Sequence, residues 1–238
     1  MRRIIPFAIY LLALLPIAVV PASAGEVLDG VVATVNRKPI FQSDWEEAVC
    51  FEAFMQQKPI AQFTERERAT TLQRIIDRQL LQGQMGDSSY MQPSSDDLQK
   101  ELAKLRAQMP GGNDDQSWSK LLASYGLTEE VVKDHLRTET QMMNFVEVRL
   151  RPTVRVQPDE VEAYYQNQLL PDLRKVGGKT VSLSEAEPKI RELLTQQRMD
   201  ELLDAWLHNL RQQAEIRSNI PIPALSAPSD QGGASGAD

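Results

Sequence analysis

Residues able to do covalent or acid–base chemistry are few in this chain. It has two histidines, His135 and His208, and a single cysteine, Cys50. No H-E-x-x-H, C-x-x-C, G-x-S-x-G or phosphate-loop pattern is present, so no spacing supports a zinc site, a redox dithiol, an elbow nucleophile or a nucleotide site. A Cys50–His pair is the one nucleophilic arrangement the inventory permits, and spacing does not favour it. No catalytic residue, metal or cofactor is expected. His135 reads as a residue on the edge of an apolar helical stripe and His208 as one on a polar face. Cys50, between Val49 and Phe51, reads as a small buried apolar residue. With no second cysteine, no intramolecular disulfide can form.

What remains is binding. Methionine is unbranched and polarizable, so a groove lined by it adapts to varied partners. Met142, Met143, Phe145, Met109 and Trp118 are the candidate substrate-binding residues, drawn from a wider set that includes Phe54, Met55, Met85 and Met91. The competing reading is that these side chains only fill a core. Met142 and Met143 are adjacent on a helix and so point about 100 degrees apart. One of them is expected to reach a groove or the surface.

The elements that must position them are helical. Val27 to Val35 is a β-branched run that predicts the first strand. Asn36-Arg37-Lys38 turns the chain and Pro39-Ile40-Phe41 extends it. Ser43 or Asp44 is expected to cap a helix with Trp45, Val49 and Phe51 or Phe54 inward. Further helices are expected after Thr64, Ser94, Asp114 or Asp115, and Thr128, each opened by a capping side chain. Pro158 suits the first turn of another. The stretch 166–183 has no strong period and contains Pro171 and Gly177-Gly178, so it reads as a linker. Ser184 with Glu187 forms a capping-box pattern before a long helix. Residues 214–218 read as a last strand, and the Pro, Ser, Gly and Ala content from 220 to 238 as a disordered tail.

Arg2-Arg3, the apolar run Ile4 to Val20 and Ala22-Ser23-Ala24 have the pattern of a secretory signal peptide, residues 1–24. The apolar run is shorter than a usual membrane span, so no stable membrane anchor is expected. The formal net charge is −7, and an acidic chain without a basic stripe is a poor nucleic-acid binder.

The segment Val31-Val32-Ala33-Thr34-Val35-Asn36-Arg37-Lys38-Pro39-Ile40-Phe41-Gln42-Ser43-Asp44 resembles the opening of the SurA-type periplasmic chaperones, close to V-A-x-V-N-G-x-P-I-x-x-S-D. The run from Val154 to Tyr165 resembles that family's V-x-V-(T/S)-x-x-E-(V/I)-x-x-Y-Y junction. Glu187 to Leu207, with Ala214 to Arg217, resembles its C-terminal helix and strand. The resemblance implies a mainly α fold, a helical chaperone domain of the SurA N-terminal and trigger-factor C-terminal kind. In that fold 25–165 and 184–219 form one domain, with one small β pairing between first and last strands. It also implies a periplasmic, ATP-independent holdase whose partners are unfolded or partly folded exported polypeptides, including outer-membrane proteins. Two departures stand out. Arg37 occupies a position where the family usually has glycine. The segment 166–183 is far shorter than the parvulin-type isomerase domain the family carries there, so the implied activity is binding without isomerase chemistry. The rival readings are a weak prolyl isomerase and an adaptor for one folded partner.

Overall fold

A computed structural model describes residues 29–86 and 91–221. The signal peptide expected over 1–24, the start of the first strand at Val27 and the expected tail from residue 222 onward lie outside these residues. Strand β1, Val31–Val35, is followed by β2, Lys38–Phe41. Eight helices then run α1 Gln42–Met55, α2 Glu65–Met85, α3 Ser95–Gln108, α4 Asp115–Ser124, α5 Glu129–Leu150, α6 Pro158–Tyr164, α7 Leu170–Lys175 and α8 Leu183–Gln213. Strand β3, Ile216–Ser218, closes the described chain.

The fold is mainly α, and the expected pairing of first and last strands is present. β1 pairs antiparallel with β3, Val35 opposite Ile216 and Ala33 opposite Ser218. The sheet has a third strand, because β2 folds back on the other side of β1 with Val35 opposite Lys38. The two-residue turn Asn36-Arg37 makes this possible. Both residues have positive φ, 49° and 66°, as a primed hairpin turn requires. Asparagine tolerates that region and arginine does not. Asn36 also ties the chain end down: its N–H donates to the Glu215 carbonyl at 2.9 Å, and its Oδ1 accepts from the Glu215 N–H at 3.0 Å.

Caps at Thr64, Ser94, Asp114 and Thr128 are as the sequence predicts, each side-chain oxygen accepting a backbone N–H three residues on. Three expectations are corrected. α1 starts at Gln42, so Asp44 lies inside its first turn, where its carboxylate accepts the Phe41 N–H at 3.4 Å. α8 is capped by Ser182 rather than Ser184, because Ser182 reaches the Glu185 N–H. The stretch expected to be a loop from 166 stays helical to Lys175: α6 passes through a π-helical turn, Tyr165–Leu169, into α7. Pro171 follows directly on the π-helical turn, the kind of local irregularity at which a helix interrupted by proline can continue. Leu169 and Leu170 pack beside buried Val161, Tyr165, Ala186 and Ile190. The helical path ends at Lys175, and Gly177, with φ 65°, turns the chain toward α8.

Four core regions lie along the described residues. The sheet packs Val32, Val35 and Ile40 against Trp45, Val49, Leu72 and Ile76 of α1 and α2. Phe51 and Phe54 on the opposite side of α1 pack with Leu102, Leu105, Trp118 and Val132. Val161, Tyr165 and Ile190 form the third, and Leu150, Val154 and Met199 the fourth. α8 has 31 residues and so spans about 46 Å. It touches Tyr165 near its start, Leu150 and Val154 through Met199, and the sheet core through Leu210.

Candidate functional site

Three helices leave a cleft between them, each contributing residues spaced by three or four so that they share one face. α1 gives Ala48, Phe51, Glu52 and Met55; α2 gives Thr71, Arg74, Ile75, Arg78 and Leu81; α5 gives His135, Glu139 and Met142. The cavity has a volume of about 410 Å³. A second cavity, of about 270 Å³, adjoins it and shares Ala48, Ile75, Arg78 and His135. Its remaining wall includes Pro39, Ile40, Asp44, Glu47 and Gln79. The hairpin and α1 form this wall together with α2, so the N-terminal motif builds part of the site.

His135 sits where the two cavities meet. Its ring stacks on Phe51 with centroids 4.2 Å apart and planes within 7°. Its side chain is nine-tenths buried. Burial first, and Arg78 second, hold its pKa below the ordinary histidine value, while Glu47 and Asp134 pull the other way. The imidazole is therefore neutral at pH 7. Nε2 is buried and lies 3.3 Å from Glu47 Oε1, a carboxylate that favours the protonated ring. Gln79 Oε1 is likewise buried and without a hydrogen bond. Arg78 is half-buried, and Glu139 and Glu52 act on its charge through space. Two ion pairs border the cleft, Arg74 with Glu52 at 2.5 Å and Asp77 with Arg211.

The sequence-derived candidates do not share one surface. Met109 and Trp118 are buried in the core behind α1, where Trp118 Nε1 donates to Glu129 Oε2 at 2.9 Å and its ring meets Phe54 edge-on. Phe145 is buried against Trp206, centroids 5.8 Å apart. Met142 lines the cleft. Met143 stands 65% exposed, so the adjacent pair divides as its spacing requires. His208 is exposed and contacts Gln212 at 2.9 Å. Cys50 is half-buried, and burial raises its thiol pKa. Sequence reasoning missed Arg78 and Gln79 and treated His135 as an ordinary face residue. The available signal was the apolar spacing of Ala48, Phe51 and Met55 beside two charged helices.

The SurA-like N-terminal domain model matches residues 1–146. The chain belongs to that family. Both cavities lie inside the matched span, and the match ends within α5, so α6 to α8 and β3 lie beyond it. Among curated proteins none matches the chain at a significant level. Membership of the SurA-like N-terminal family suggests a chaperone-like role. Among the described residues of this SurA-like chain, no helix is long and apolar enough to cross a membrane, and no group of three or more His, Cys, Asp and Glu could hold a metal ion.

Proposed function

We propose that the chain is a periplasmic holdase. It binds unfolded or partly folded exported polypeptides, outer-membrane proteins among them, without ATP and without isomerase chemistry. The observation that carries this reading is the cleft of about 410 Å³, walled by Phe51, Met55, Ile75 and Met142, inside the span that matches a SurA-like domain. Apolar walls with adaptable methionines suit varied chains better than one rigid partner. Arg2-Arg3, the run Ile4 to Val20 and Ala22-Ser23-Ala24 support export. The short path from Tyr165 to Ser182, occupied by α7, supports the absence of an isomerase domain.

The test is dilution of a urea-denatured outer-membrane-type protein into buffer with and without the purified chain and without nucleotide. The expected result is suppressed light scattering at near-stoichiometric chain. Unchanged aggregation at several-fold molar excess would reject the holdase and leave the single-partner adaptor.

A further inference from the structure

The polar groups between the two cavities are arranged in an unusual way for a purely apolar groove. Arg78 lines both cavities and brings guanidinium donors, its charge met through space by Glu139 and Glu52. Gln79 Oε1 and His135 Nε2 are buried and unbonded, and both residues line the smaller cavity. Leaving the two buried atoms unpaired is costly, and with the Arg78 donors beside them they favour a ligand that both donates and accepts hydrogen bonds. A simple anion would meet Arg78 but also Asp44, Glu47 and Glu139 on the same walls. A simple cation would meet Arg78. A neutral amide meets neither objection.

We infer that this junction reads the main chain of an extended polypeptide segment. One peptide carbonyl accepts from Arg78, and an adjacent N–H donates to Gln79 Oε1. The neutral imidazole supplies one acceptor and one donor nitrogen, which suits an amide as partner. An extended chain repeats its amides about every 3.3 Å and turns alternate side chains to opposite sides. With its amide held at the junction, a client can place an apolar side chain between Phe51, Met55, Ile75 and Met142. Hydrogen bonding to the backbone is independent of client sequence, so the arrangement gives grip without choosing among clients. The inference rests on the client-binding reading above and adds what part of the client is recognised.

The test uses a fluorescent peptide blocked at both ends, with alternating Phe and Val between terminal lysines, titrated with the purified chain by anisotropy. Each interior amide is N-methylated in turn. At least one methyl is expected to weaken binding about tenfold, the worth of a lost buried hydrogen bond. The double variant His135→Phe with Gln79→Leu keeps the ring stack and the side-chain volume. It should bind the parent peptide about tenfold less tightly and lose its sensitivity to that methyl. The N-methyl scan on the unaltered chain needs no variant to fold. In a His208→Gln background, His135 is the sole histidine, and its ring nitrogen resonances should shift when peptide is added. A flat methyl scan, or a folded double variant that binds as the parent does, overturns main-chain reading. Preference for a peptide with a free C-terminal carboxylate overturns it in favour of an anion site. If aggregation is still suppressed in those cases, the holdase reading survives alone. If no peptide binds and aggregation is unchanged, both fail.

Discussion

Asp77 on α2 and Arg211 on α8, far apart in sequence, form a two-pronged ion pair: Arg211 Nε donates to Oδ1 at 2.6 Å and Nη2 to Oδ2 at 2.5 Å. Both side chains are about four-fifths buried. The pair fastens the end of the long C-terminal helix to the helix that forms one wall of the cleft. Burial outweighs Arg211 and raises the Asp77 pKa above its ordinary value. A raised value means that this group's contribution to stability is full below pH 3.8 and declines as pH rises through the folded value.

Arg211→Met leaves that carboxylate without its partner and should cost about 3 kcal/mol at pH 7. Loss of Arg211 raises the Asp77 pKa further, so the deficit against the parent protein should grow between about pH 4 and pH 7. Adding Asp77→Asn should remove that growth. Urea unfolding of the parent, single and double variants across this range checks it. A deficit independent of pH would refute the electrostatic origin.

His135 has the opposite sign. Its pKa is lowered, so the stability it contributes is present above pH 6.5 and is lost as pH falls through the folded value. Arg78 from α2 disfavours its protonation, while Glu47 from α1 and Asp134 on its own helix favour it. The parent protein should lose stability between pH 7.5 and pH 5, and His135→Phe should lose less. Melting of both proteins at the two pH values decides it.

The hairpin turn stores strain at Arg37. A non-glycine residue in the left-handed region costs about 1–2 kcal/mol, and glycine's greater freedom when unfolded offsets roughly half of that. Arg37→Gly should therefore stabilise the protein by about 0.5–1 kcal/mol. Asn36→Ala should destabilise it, because the Glu215 N–H loses its acceptor and β3 its anchor. Two thermal melts suffice, and a destabilised Arg37→Gly would refute the turn geometry.

How much was legible follows from how local each signal is. Thr64, Ser94, Asp114 and Thr128 announced their helices, because a cap depends on residues within one turn. The β1–β3 pairing was legible only through resemblance, since nothing local links Val35 to Ile216. The helical stretch 165–175 was missed because Pro171 and the glycines outweighed Tyr165, Leu169 and Leu173, whose spacing by four is a helical face. The cleft was missed for a different reason. Residue type picked out Met109, Trp118 and Phe145, which the packing consumes, while Arg78, Gln79 and His135 become distinctive only once three helices bring them to one junction.

That division of the methionine and aromatic set gives the last prediction. Phe145 is buried against Trp206, so Phe145→Ala should lower stability by about 3 kcal/mol through the cavity it leaves. Met143 is 65% exposed, so Met143→Ser should change stability by less than about 0.5 kcal/mol. Met142 is half-buried on the cleft wall and stands between these cases. Met142→Ser should reduce suppression of client aggregation more than it lowers the melting temperature. Phe145→Ala should do the reverse, leaving suppression near that of the parent at temperatures where it remains folded. Measuring melting and aggregation on the three variants side by side separates wall from core. If Met142→Ser costs as much stability as Phe145→Ala and leaves suppression intact, Met142 is packing alone and the cleft is not where clients bind.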